Sequence, residues 1–127
     1  MASPEEIRER IRITPEPQPV TVYFNDVIIA STKEALRLEE KGHDPVYYIP
    51  RDRVEMAYFE ATDKHTTCPY KGEASYWTIS AMGRAGANGA WSYETPHEGV
   101  KEIAGHIAFD KNAVRIEVDE APTKQDW

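Results

Sequence analysis

Apolar side chains recur at every second position through most of this chain, which is the period of a strand with one buried face. In "VTVYFND", Val20, Val22 and Phe24 share a face, and Asn25-Asp26 tolerate the positive φ of a tight turn into "VIIAST". In "ALRLE", Leu36 and Leu38 point one way and Arg37 the other; "PVYYIP" is short, β-branched and aromatic between prolines, so both read as strands. "EMAYFEA" alternates less cleanly and leaves strand and helix open. "SYWTISAMG" predicts a further strand, "GRAGANG" with its three glycines a loop, and "AWSYE" a return to extended structure.

One stretch breaks the period. "TPHEGVKEIAGH" predicts a short helix near residues 96–104: Thr95 as cap, Pro96 in the first turn, Glu98 completing a T-x-x-E box, Val100 and Ile103 on one face and Gly105 as the stop. "HIAFDKNAVRIEV" then predicts a hairpin, with Ile107 and Phe109 before an Asp110-Lys111-Asn112 turn and Val114, Ile116 and Val118 after it. Residues 1–9 read as an N-terminal segment, and 10–19, with Pro15, Pro17 and Pro19 at alternate positions, as an extended lead-in. Together with 20–118 this makes one mainly-β domain, and 119–127 is a polar tail.

At 127 residues the chain suits a single domain able to bury a core unaided. Its net charge of −7 repels phosphate backbones, and its basic residues are scattered, so the expectation is no nucleic acid partner. No run approaches the roughly 20 apolar residues of a membrane helix, and the N-terminal residues lack an apolar leader. The expectation is therefore no membrane and a cytoplasmic location. One cysteine builds neither an internal disulfide nor a paired-cysteine zinc site, and the four histidines (His43, His65, His97, His106) show no metal-ligand spacing.

The chemistry concentrates in "HTTCPYKGEASYW". Cys68 as a nucleophile would need a base and an orienting group; His65 lies three residues away, which fixes no common face in a strand. A free cysteine at such a corner is expected to be buried structure. Lys71-Gly72 lacks the upstream glycine and following helix of a phosphate loop, so no nucleotide motif is present. Lys71 instead reads as a cation held by the rigid Pro69 corner beside amphipathic rings. Tyr48, Tyr76, Trp91 and Tyr93 carry apolar bodies with polar tips, and strands that gather them would set phenols beside Lys71 and Arg51. The competing expectation is that these rings are packing.

"FNDVIIAST", "PVYYIPRDRVEM", "HTTCPYKGEASYW", "AWSYETP" and "IAGHIAFD" occur in an order that resembles the family catalogued as domain of unknown function 427, sometimes labelled nucleotidyltransferase-like, over about residues 10–118. The C-P-x-K-G-x-A-x-Y-W run is the most specific part. The resemblance implies a compact β-tent of two antiparallel sheets meeting at a steep angle, on a scaffold similar to that of a zinc-binding superfamily whose paired C-x-x-C motifs are absent here. No D-x-D pair of a nucleotidyltransferase occurs, and Glu117 and Asp119 read as a solvated strand edge. The resemblance carries over Glu40, Tyr48, Arg51, His65, Thr67, Cys68, Lys71, Tyr76, Trp91 and Tyr93 as recurring polar and aromatic places, with His43 where relatives often have an aromatic.

The functional expectation is a small-molecule-binding domain, an enzyme or not, with an aromatic pocket containing a lysine; its cofactor is unknown. The alternative is a structural or protein-interaction module without catalytic activity, for example a homodimer formed through sheet edges.

Overall fold

The computed structural model describes residues 2–119. The prolines decide where one sheet ends and the next begins. Strand β1 (Ile11–Pro15) pairs antiparallel with β4 (Leu36–Glu40), Ile13 opposite Leu38, and β4 pairs in turn with β5 (Val46–Tyr48). Pro15 still pairs with Leu36 and the Glu16 amide bonds the Ala35 carbonyl at 2.8 Å, but Pro17 and Pro19 lack N–H donors and cannot carry the ladder further. The chain therefore leaves it and begins a second sheet at β2 (Val20–Phe24), which lies between β10 (Arg115–Val118) and β3 (Val27–Thr32). Within β2, Val20, Val22 and Phe24 are buried as their spacing requires. Asn25 and Asp26 turn the chain with φ of 51° and 66°.

The third sheet carries the order β6 (Phe59–Cys68), β7 (Gly72–Ala81), β8 (Arg84–Ser92) and β9 (Ala108–Phe109). The mainly-β class is borne out; the strands hydrogen-bond as three antiparallel sheets, one more than the resemblance implies. Within the extended lead-in, residues 11–15 form a paired strand.

Three further expectations are corrected. The glycines of "GRAGANG" belong mostly to a strand: the turn is only Met82-Gly83, both with positive φ, and β8 begins at Arg84. Gly86 and Gly89 serve close approach, since a Cβ on Gly86 would stand 3.0 Å from the Phe24 ring and one on Gly89 3.1 Å from Ile79. The C-terminal hairpin does not form. β9 pairs with β8 and β10 with β2, because the Asp110 amide is taken by the Gly89 carbonyl at 2.8 Å and the Asp110 carboxylate accepts the Asn112 amide at 2.9 Å, turning the chain out of one sheet into another.

The helix near residues 96–104 is a short 3₁₀ segment, Glu98–Ile103, kinked at Val100 and without a side-chain cap; Glu98 pairs with Lys101 instead of closing a box. The described α-helix, α1 (Pro4–Arg10), lies in the N-terminal segment, where Ser3 and Glu6 form the reciprocal capping box. Of the polar tail, only Asp119 lies within the described residues.

The core has two parts, and the four-stranded sheet contributes to both. Val20, Val22, Ile29, Ile79 and Phe109 build one beneath the β10-β2-β3 sheet. Ile7, Ile11, Leu38, Tyr48, Tyr93, Val100 and Ile103 build the other, under α1 and the β1-β4-β5 sheet. Ile49 and Ile107, both fully buried, exchange backbone hydrogen bonds of 2.9 Å where the parts meet. No helix among the described residues is long and apolar enough to cross a membrane.

Candidate functional site

The C-P-Y-K-G corner closes the β6–β7 hairpin. Cys68 pairs with Gly72, the Lys71 amide bonds back to the Cys68 carbonyl, and Gly72 takes a φ of 113° that a side chain would resist. The Lys71 carbonyl accepts the His97 amide at 3.1 Å, so the corner is braced by the chain that follows β8. From it the Lys71 ammonium crosses to β4 and meets Glu40 Oε1 at 2.8 Å, with both side chains only 12% exposed.

This ion pair lies in the wall of a cavity of about 670 Å³ between the β1-β4-β5 sheet and the start of the four-stranded sheet. Tyr76 and Trp91 are direct cross-strand partners whose rings stand 6.4 Å apart at 41°. The indole N–H of Trp91 donates to the Tyr48 hydroxyl at 3.3 Å, and the Tyr76 hydroxyl shares a 2.9 Å hydrogen bond with Thr66. Burial drives the phenols of Tyr48 and Tyr93 well above the ordinary phenol range, more than the Trp91 hydrogen bond lowers that of Tyr48. Both are held neutral at any ordinary pH and are able to donate hydrogen bonds to an acceptor oxygen.

Eight of the ten positions expected from the sequence line this cavity: Glu40, Tyr48, Thr67, Cys68, Lys71, Tyr76, Trp91 and Tyr93. Arg51 and His65 do not. Arg51 stacks 5.2 Å over Trp77 and bonds Gly105, Ser92 and Glu94, because the segment after β5 carries it to the opposite side of β8. His65 is exposed on β6, opposite Ser75. Cys68 is half-buried in the cavity wall, not sealed in the core as its type suggests. His43 also lines the cavity.

Sequence patterning missed the residues that a register break delivers. The β6–β7 pairing skips between Ala61 and His65, and the β7–β8 pairing skips between Trp77 and Ile79. The two bulges flank β7 and are tied by a 2.7 Å hydrogen bond from the Thr62 hydroxyl to Asn88 Oδ1. Bulges re-aim side chains, and Lys64 and Asn88 here reach the cavity. Period-two counting across either bulge puts a residue on the wrong face. Arg10, at the end of α1, and Tyr70, the variable position of C-P-x-K-G, complete this end.

A second cavity of about 610 Å³ adjoins, lined by Tyr47, Phe109, Lys111 and Ile116. It shares Trp91, His43, Asp44, Val46 and Asp110 with the first. Asp44 and Lys111 pair at 2.5 Å beside this shared wall, each holding the other's charge: the ammonium lowers the carboxyl and the carboxylate raises the amine. Among the described residues no three His, Cys, Asp or Glu side chains converge to hold a metal.

A family profile described as a domain of unknown function, DUF427, matches residues 12–120, and the chain belongs to that family. No curated protein matches the chain.

Proposed function

We propose that this DUF427 domain binds a small molecule in the first cavity, its flat or apolar part against Trp91 and Tyr76 and its acceptor oxygens toward the phenols and Lys71. The observation that carries the reading is the Lys71–Glu40 pair, a shielded ion pair in the wall of an aromatic cavity that opens to solvent. Pockets that recognise small molecules combine apolar walls with a few fixed polar groups in this way. A cytoplasmic location belongs to the same proposal.

A thermal-shift screen of metabolites tests it. A ligand at a hundred times its Kd adds about 2.7 kcal/mol, a rise on the order of 10 °C for a domain of this size. Lys71→Ala and Tyr76→Phe are expected to shrink that rise. If both leave every ligand's effect unchanged, the cavity is not a binding site.

A second reading, a structural or partner-binding module, draws on Tyr48 and Tyr93. They are 1% and 7% exposed and pack with Ile7, Leu38 and Val100, so these two rings serve the core whatever else they do. The long outer strand β6 offers its free edge to a second copy. Light scattering that finds only monomer at all workable concentrations removes the dimer form of this reading.

A further inference from the structure

The cation expected to recognise a ligand, Lys71, is already neutralised by Glu40. The other two carboxylates of the first cavity are engaged as well: Asp44 with Lys111, and Asp110 with the Asn112 amide. Of the three lysines and arginines that line this cavity, two have no carboxylate partner among the described residues. Arg10 lies 4.7 Å over the Tyr70 ring, and its Nε is buried without an acceptor. Lys64 lies 4.6 Å over the Tyr76 ring, placed there by the bulge in β6. The two come from different walls, one from the α1–β1 junction and one from the four-stranded sheet.

A buried guanidinium N–H without an acceptor is costly, and stacking on a ring holds a cation in place without cancelling its charge. Of the lining charges outside the two ion pairs, Arg10 and Lys64 stand against Asp110 alone, whose bond from an amide leaves its charge in place, so the cavity keeps one net positive charge in a chain of net charge −7. We propose, on the basis of the cavity reading above, that its ligand is a flat organic anion. Its oxyanion, carboxylate or phosphate ester, is held by Arg10 and Lys64, and its planar body lies against Tyr76 and Trp91.

Isothermal titration calorimetry on the full chain with four probes of one size tests this: benzoate, phenyl phosphate, neutral benzamide and cationic benzylamine. At low salt at least one anion is expected to bind about tenfold tighter than benzamide, the worth of one charge-assisted hydrogen bond, and benzylamine more weakly than either. The two anions separate carboxylate from phosphate recognition. Lys64→Gln and Arg10→Gln should each weaken the anion by a similar factor and leave benzamide unchanged, and 200 mM salt should weaken only the anions. Lys64 is exposed, so its variant keeps the test open even if Arg10→Gln disturbs the α1–β1 junction.

Benzamide binding as tightly as both anions, or anion binding indifferent to Lys64→Gln, overturns the anion assignment alone, provided Trp91→Ala still abolishes benzamide binding. If none of the four probes binds, the cavity reading falls with it.

Discussion

Lys71 reaches from the β6–β7 corner to a carboxylate 31 positions earlier. Removing one partner of a shielded pair leaves the other charge uncompensated. Lys71→Met is therefore expected to destabilise by about 3 kcal/mol, and the double variant Glu40→Gln, Lys71→Met to recover most of the loss; urea unfolding of the three proteins measures both. The lysine's place was legible, because a C-P-x-K-G corner has few ways to point a side chain. Glu40 was among the positions the resemblance carried over, but its pairing with Lys71 was not legible, since nothing in "LRLEE" marks it as the residue that meets another sheet. That pairing moves the free positive charge from Lys71 to Arg10 and Lys64, neither of which a motif identified.

Tyr48 and Tyr93 support a second residue-level prediction. Their phenols titrate in the unfolded chain near the ordinary value of about 10, and in the folded chain above it. The folded form thus keeps protons the unfolded form has lost. The stabilisation is complete below the unfolded value and disappears as pH rises through the folded one. A spectrophotometric titration should find the Tyr48 and Tyr93 phenols ionising only as the protein unfolds. Tyr48→Phe should lessen the alkaline loss of stability; an unchanged profile contradicts the assignment.

At the scale of elements, alternation located β2 and β4, the Asn25-Asp26 turn led into β3, and β-branched and aromatic residues between prolines marked β5. In β3 the adjacent Ile29 and Ala30 are both buried, so no single-face period holds there. Alternation could not say which sheet a strand joins. The stripe Ile107, Phe109, Val114, Ile116 does face one core, yet its halves lie in different sheets, a choice made by the turn at Asp110. The capping box was sought at Thr95 and occurs at Ser3, where Pro4 also starts the helix. Gly99 shows what the 98–103 segment needs instead: a Cβ there would stand 2.8 Å from Ile7 Cβ. Gly99→Ala is expected to push α1 from the core at a cost of about 1–3 kcal/mol. Amide exchange should place the added opening at α1; protection there equal to that of the unaltered protein counts against this packing.

At the scale of the whole molecule, length, apolar content and strand period were enough for the mainly-β class. The net charge described the average surface but not the cavity, where Arg10, Lys64 and Lys71 match Glu40, Asp44 and Asp110 in number although the chain as a whole is acidic. Assembly of that cavity depends on sheets meeting across long stretches of chain, which local pattern does not encode. Trp91 stands in the wall common to both cavities, while Trp77 lines neither and lies under Arg51. The indole is thereby placed as a built-in optical reporter, since a change on either side of that wall reaches the same fluorophore.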